Sequence, residues 1–273
     1  MKSLLIDAGN SRLKWSSMDG DDYSVPLPSQ DTIAYENKPP IDYLANLIKA
    51  EGANHKHVLL VSVQGNEFSE KAKDIASKAG LEFINIISQR QFGEFKNAYK
   101  KPEQLGADRF VAMLAAHNIA STDKPKSCIV IDCGTAVTID AIDENGQHLG
   151  GLILPGLQLC SNSLLKNTQQ LFIEQSTGQA QQQATFNLLT DNTSDAIISG
   201  SFYGLSSAIK ETCNKIEKQI SSPQSKEVVK IICGGDANVL LPQLSSDFLI
   251  HTDLVMQGLK RIAQDTFKDS TKK

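Results

Sequence analysis

The chain has 273 residues, 40% of them hydrophobic, enough for one large or two medium cores. Its formal net charge is -4 and its pI is about 5.8, which argues against nucleic acid as the main partner, because such domains carry a basic excess. Only a short apolar run separates Met1-Lys2 from Asp7, so no signal peptide is expected, and no run approaches the roughly 18–20 apolar residues of a membrane span. The cysteines Cys128, Cys133, Cys160, Cys213 and Cys233 form no C-x-x-C pair, which predicts free thiols in a reducing cytoplasm.

In chain order, residues 4–6 and 13–17 read as the strands of a hairpin. The stretch 19–40 is polar and turn-rich and predicts loops with weak edge strands. Asp42 is positioned to cap a helix with Leu44, Leu47 and Ile48 on its buried face, stopping near Gly52. Residues 58–63 form an apolar run that suits a central parallel strand. Ser69 is the expected cap of a second helix ending at Gly80, and a strand follows at 82–87. This alternation predicts an α/β fold with helices on both faces of a sheet.

A helix is expected over 104–120, with Gly106, Ala107, Asp108 and Arg109 at its start. The polar segment 121–127 reads as a boundary, giving halves at 1–121 and 122–273. The second half opens on a strand at 128–131, and Asn145-Gly146 signals a hairpin between strands at 138–142 and 148–154. Gly150, Gly151, Pro155 and Gly156 mark a strand-to-helix turn, and the Gln- and Thr-rich stretch 169–193 reads as a loop. A long helix over 194–219, a strand at 228–233, a short helix, a short strand at 248–250 and a final helix over 253–267 complete the pattern. Residues 268–273 read as a frayed tail.

One phrase occurs twice. Val130 to Asp140 reads V-I-D-C-G-T-A-V-T-I-D, and Leu4 to Lys14 reads L-L-I-D-A-G-N-S-R-L-K. Asp7, Gly9 and Asn10 thus align with Asp132, Gly134 and Thr135. A glycine lets phosphate oxygens approach the backbone, turn N–H groups and hydroxyls donate to them, and a carboxylate holds a cation directly or through water. A single D-x-G turn is equally well an ordinary hairpin turn with an Asx-type hydrogen bond and, at Lys14, a solvated lysine. Two copies in the same strand-turn-strand context point instead to two related halves, each offering a phosphate-facing turn to a shared cleft.

Other residues carry candidate chemistry. Asp108 beside Arg109 at a helix start suits phosphoryl transfer, the carboxylate taking a hydroxyl proton and the guanidinium binding an anion. The same pair is also a common helix-dipole arrangement. Gly234-Gly235-Asp236 follows an apolar strand, either baring backbone to a nucleotide or simply turning into a helix with Asp236 as its cap. Thr193 is a helix-cap candidate or a substrate hydroxyl contact, and Tyr99 is a lone aromatic in a basic stretch. His55 and His57 lack Cys or carboxylate support for a metal site.

Taken together and in order, D-A-G-N-S-x-x-K from Asp7, Tyr99 ahead of G-A-D-R at Gly106, D-C-G-T-A at Asp132, L-G-G-x-x-x-P-G at Leu149, N-T at Asn192 and G-G-D at Gly234 resemble a type III pantothenate kinase. The resemblance implies a duplicated actin-like ATPase (ribonuclease H-like) fold of mixed sheets flanked by helices, and ATP-dependent phosphorylation of pantothenate to 4'-phosphopantothenate. It implies ATP contacts by Asp7, Ala8, Gly9, Asn10, Ser11, Arg12, Leu13, Lys14 and Thr135. It implies pantothenate contacts by Tyr99, Gly106, Ala107, Asp108, Arg109 and Thr193, with Asp108 as the base. Asp132 would hold a monovalent cation, K+ or NH4+, with Mg2+ accompanying the nucleotide. The resemblance further implies a homodimer. The alternative is a regulatory nucleotide-binding protein on the same fold without turnover.

Overall fold

The computed structural model describes residues 2–19, 27–167, 186–221 and 227–268; residues 169–185 of the loop expected at 169–193 lie outside them, as does the tail beyond 268. The chain forms two compact units. The first comprises Met1–Lys124, Asn145–His148 and Asp253–Lys273, and the second comprises Pro125–Glu144 and Leu149–Thr252. The expected halves divide the chain by sequence at 121/122, whereas by packing the last helix and the 145–148 turn group with the first unit.

The first unit is built on a five-stranded sheet. Its strands are β1 (Ser3–Ala8), β2 (Arg12–Met18), β3 (Asp31–Ala34), β4 (His57–Ser62) and β5 (Glu82–Ile86), in the order β3-β2-β1-β4-β5. The first three strands run antiparallel to one another, and β4 and β5 continue parallel to β1. The helices α1 (Pro40–Glu51) and α2 (Asn66–Lys78) precede β4 and β5. Every residue of β1 is buried, as an apolar strand covered on both faces requires. One face carries Leu4, Ile6, Ala8, Leu13, Val58 and Leu60 against Leu44, Leu47 and Ile48 of α1 and Phe68, Ala72 and Ala76 of α2. Strand alternation sends Leu5, Asp7, Leu59 and Val61 to the other face.

Two helix starts differ from expectation. Pro40 opens α1 with Pro39 as its cap, because proline supplies helical φ where no N–H partner is needed. Gly65, at φ +88°, caps α2 in place of Ser69, whose hydroxyl lies within the first turn and donates back to the Gly65 carbonyl at 3.5 Å. A small hairpin of β6 (Gln91–Phe92) and β7 (Phe95–Lys96) then leads through a single 3-10 turn at Pro102–Gln104 into α3 (Ala107–Ala120). Helix α3 starts at Ala107 and not at 104, and it is apolar nearly all round.

The second unit repeats the plan. Its strands are β8 (Ser127–Cys133), β9 (Ala136–Ile142) and β10 (His148–Pro155); α4 (Leu157–Asn167) and α5 (Thr193–Ile220) then precede β11 (Val228–Cys233), α6 (Ala237–Leu240) and β12 (Phe248–Ile250). The sheet order is β10-β9-β8-β11-β12, with β9 antiparallel to β8 and with β11 and β12 parallel to it. This is the order of the first sheet, strand for strand. Phe202, Leu205, Ile209 and Cys213 of α5 bury against Ile129, Ile131, Val137 and Ile139. The last helix, α7 (Leu254–Lys268), belongs to the first unit, where it packs on β1, β2, β4 and α3. Its Gly258 lies so close to Val111 of α3 that an added Cβ would overlap the Val111 carbonyl.

Candidate active site

In the first unit, Asp7 is the penultimate residue of β1, at the carboxyl edge of the parallel strands, the edge where open α/β sheets bind ligands. It is 7% exposed and stands directly across the ladder from Lys14, whose Nζ is 3.9 Å from its Oδ2. The turn closes when Gly9 N–H donates to the Arg12 carbonyl at 3.0 Å. The Gln64 side chain donates to the Gly9 carbonyl at 2.5 Å, and Tyr35 N–H donates to the Ser11 carbonyl at 3.0 Å. Burial, and then the charge of Asp7, push the Tyr35 phenol far above its usual range, so it remains a protonated donor. Its hydroxyl is buried without a hydrogen-bond partner among the described residues. Asn10, Ser11 and Arg12 are exposed at the turn. Leu13 is fully buried in the core, so only its backbone can face a ligand. Ala8 is likewise a core residue.

The second turn has the same frame and a different charge. Asp132 sits on β8 opposite Thr138, where Asp7 has a lysine. Gly134 N–H donates across the turn to the Ala136 carbonyl at 3.1 Å, and Gly156 N–H donates to the Thr135 carbonyl at 3.0 Å. The turn is one residue shorter than the first, since Cys133 pairs with Val137 whereas Ala8 pairs with Leu13. Gly234 has φ +94°, and a Cβ there would lie 2.5 Å from Asp132 Oδ1 and from Cys133 backbone, so glycine is required. Asp236 N–H donates to the Cys133 carbonyl at 2.9 Å. The two glycine motifs of this unit, D-C-G-T and G-G-D, are therefore adjacent, a pairing that sequence spacing does not reveal.

Burial pushes the Cys133 thiol well up, and the charges of Asp132 and Asp236 add to the effect. Cys128 and Cys213 are pushed up to about 12 by burial, and burial raises Cys160. No thiolate nucleophile is available at these positions at neutral pH. With two carboxylates beside one turn and a hydroxyl in place of a lysine, the second turn is the one suited to a cation. No three His, Cys, Asp or Glu side chains converge among the described residues, so an ion there would complete its shell with backbone oxygens, water or phosphate.

The G-A-D-R segment lies in the first unit. Gly106 caps α3, and Ala107 and Asp108 form its first turn. Asp108 Oδ1 accepts the Arg109 N–H at 2.8 Å. A Cβ on Gly106 would lie 2.6 Å from that same oxygen, so the glycine makes room for the carboxylate. Arg109 is 7% exposed, and its Nη1 donates to the Tyr99 hydroxyl at 3.1 Å with Cζ 5.8 Å from the ring centre. Tyr99, expected from the resemblance as a substrate contact ahead of the motif, is thus joined to that motif by a hydrogen bond. Asn97 holds the segment, accepting from Tyr99 N–H at 2.9 Å and donating to Ser88 Oγ at 3.0 Å. Arg90 donates to the Tyr99 carbonyl at 2.6 Å. Thr193 lies in the second unit as the first residue of α5 and is exposed, but the cap is Asn192, whose Oδ1 accepts from Asp195 N–H at 2.9 Å.

A Ser3–His57–Glu82 chain also occurs, with contacts of 3.4 and 3.3 Å, its Ser3 and His57 buried and its Glu82 exposed. Ser3 is 1% exposed, which closes it to any substrate carbonyl and makes the chain structural.

A family model described as type III pantothenate kinase matches residues 3–215. The type III pantothenate kinase of Nitrosococcus oceani is 31% identical over 267 residues, covering 97% of this chain and 95% of its own length. That of a Janthinobacterium species is 33% identical over 267 residues, covering 95% and 96%. Among solved structures, a Campylobacter jejuni protein described as a Baf family transcriptional activator superposes with a TM-score of 0.58 at 23% identity, covering 97% of this chain and 99% of its own. A ROK family glucokinase from Streptomyces griseus superposes at 0.56 with 10% identity, covering 97% and 100%. The two structures share the fold, that of actin-like ATPases and sugar kinases, which fits the repeated sheet order. The match to the family model over most of its length, and to these relatives over nearly all of it, shows that the chain belongs to the type III pantothenate kinase family.

Proposed function

We propose that Asp108 is the general base for the pantothenate hydroxyl and that Tyr99, Gly106, Ala107, Arg109 and Thr193 bind pantothenate. The reaction of the family is phosphoryl transfer from ATP to pantothenate, the entry to coenzyme A biosynthesis. The observation that carries our assignment is the Arg109–Tyr99 hydrogen bond beside Asp108 on the first turn of α3. An arginine that is buried yet hydrogen-bonded to a phenol is held in one orientation, as recognition of a carboxylate requires. The backbone of Gly9 and its neighbours, with Asn10, Ser11, Arg12 and Lys14, supplies donors and positive charge for the ATP phosphates, joined by Thr135. Asp7 keeps Lys14 in place.

Asp132 is the proposed ligand of K+ or NH4+, and Mg2+ would accompany the nucleotide, neutralising phosphate charge when bound. Most of the rate enhancement then comes from positioning and charge neutralisation, with the base adding roughly 10²–10⁴-fold. We also propose a homodimer in the cytoplasm. Edge strand β10 exposes Leu149, Leu152 and Ile153, and α4 exposes Leu159 and Leu164, apolar side chains that a second copy of the chain could cover. No described helix is long and apolar enough to cross a membrane.

The deciding experiment is ADP release by the purified protein with MgATP, with and without pantothenate, in K+, NH4+ and Na+ buffers. Pantothenate-dependent turnover that collapses in Na+ and is insensitive to the cation in Asp132→Ala supports both assignments. ATP binding without turnover in any cation would favour the regulatory alternative.

A further inference from the structure

The short turn Asn145–His148 is carried between two strands of the second sheet but packs within the first unit. There it is stitched to the segment that leads to Tyr99. Lys96 N–H donates to the Gly146 carbonyl at 2.9 Å, and Gln147 Nε2 donates to the Lys96 carbonyl at 3.2 Å. Gly146 has φ +79°, and a Cβ there would lie 2.7 Å from the Glu94 carbonyl oxygen, so only glycine permits this approach. The turn delivers His148, which is 1% exposed.

His148 lies in a file of rings. Phe110 meets Phe95 edge-on at 5.5 Å, Phe95 stacks on His148 at 6.1 Å and 20°, and His148 stacks on Tyr99 at 5.9 Å and 15°. Tyr99 accepts the hydrogen bond from Arg109. The Ala98 N–H donates to His148 Nδ1 at 3.4 Å. At that length the hydrogen bond is weak, and the stack adds to the positioning of the ring. Phe95 and Phe110 are buried core residues, so the file anchors a site residue to rigid packing.

We infer that His148 is a positioning residue for pantothenate binding: seated by the 145–148 turn, it fixes the plane of the Tyr99 ring and through it the Arg109 guanidinium. The inference rests on the assignment of Tyr99 and Arg109 to the pantothenate site. It implies that the Asn-Gly turn is part of the substrate-binding apparatus as well as a hairpin end.

The test compares His148→Ala, His148→Phe, Gly146→Ala and the control Tyr99→Ala, with pantothenate and ATP varied separately and a thermal melt for each. His148→Ala should raise the pantothenate KM roughly tenfold to hundredfold while the ATP KM stays within about twofold, the signature of a misplaced binding group. His148→Phe keeps a ring between Phe95 and Tyr99 and should recover most of the loss. Gly146→Ala should reproduce the pantothenate-selective defect even if His148→Ala does not fold. Equal defects in the Ala and Phe variants, or parallel changes in both KM values, would overturn the inference. A raised pantothenate KM in Tyr99→Ala with none in His148→Ala or Gly146→Ala overturns it and leaves the site standing. An unchanged KM in Tyr99→Ala removes the site assignment, and the inference with it.

Discussion

Replacing Asp108 by Asn tests the proposed base with little structural disturbance. The Asp108 Oδ1 accepts the Arg109 N–H at 2.8 Å, and an asparagine Oδ1 accepts the same bond in the same rotamer. The space left by Gly106 suits either side chain, because the contacting atom is this same oxygen. What the substitution removes is the charge and the capacity to take a proton. Loss of a negative charge in the first turn of α3 costs about 0.3–1 kcal/mol of helix-dipole stabilisation, a shift in Tm of no more than about 4 °C. Loss of a general base lowers kcat by roughly 10²–10⁴, equivalent to about 3–5 kcal/mol of barrier. The assay is single-turnover phosphorylation of pantothenate at saturating MgATP, alongside ATP affinity by calorimetry. A variant with unchanged ATP affinity, a near-native melt and a rate in that range meets the expectation. Near-full activity would show that Asp108 does not accept the proton.

Other expectations follow from packing and charge. Gly106→Ala places a Cβ 2.6 Å from Asp108 Oδ1, so kcat should fall roughly tenfold or more with little loss of stability; an unaltered kcat would show that the carboxylate is free to move. Gly258→Ala should destabilise the first unit by about 1–3 kcal/mol in urea unfolding, because the new methyl overlaps Val111; an unchanged midpoint would refute the close crossing of α3 and α7. Lys230 is 3% exposed and bonds Glu217 at 2.7 Å and Asp247 at 2.6 Å. Burial acts to lower the Lys230 pKa, but its two carboxylate partners outweigh that and raise it. Burial acts to raise Asp247, but the bonds from Lys230 and Ser245 outweigh that and lower it. The Asp247 contribution is therefore present above its unfolded pKa of about 3.9 and is lost as pH falls through the lower folded value. The Lys230 contribution is present below about 10.4 and is lost as pH rises through the higher folded value. Lys230→Met should then cost about 1–3 kcal/mol at pH 7, discounted for the exposure of its partners, and clearly less at pH 3; equal loss at both would remove the ion pairs from the account.

The parts of the molecule legible in sequence were those written in local pattern. The apolar runs at β1, β4, β8 and β11 announced buried strands, and the repeated D-x-G phrase announced two related halves, whose sheets share one strand order. The start of α3 was legible within a few residues because G-A-D-R stands out against an apolar helix. What escaped was decided by contacts distant in sequence. Asn145-Gly146 reads correctly as a hairpin turn, but its docking against Glu94 and Lys96 depends on residues about fifty positions away. His148 carried no signal of its own, since a histidine beginning a strand is unremarkable until its ring neighbours are known. Lys230 reads as an interruption in an apolar strand, and its partners come from α5 and from the residue before β12. Ser69 is a good cap by type, yet Gly65 ends the preceding loop at positive φ and starts the helix sooner.

The place of α7 bears on how the molecule is made. The first unit is begun by residues synthesised before the second unit and completed by a helix synthesised after it. Until residues 254–268 emerge, β1, β2 and β4 lack the helix that packs on them, and α3 lacks its partner. The second unit is encoded between these parts, and its strands and helices are all synthesised before α7. Vectorial synthesis thus favours an order in which the later unit matures while the earlier one waits with apolar surface uncovered, the condition under which chaperones engage nascent chains. A stop codon placed just before Leu254 would release a polypeptide whose second unit retains all its described strands and helices and whose first unit stays open, so truncation there is far more damaging than the loss of one helix suggests.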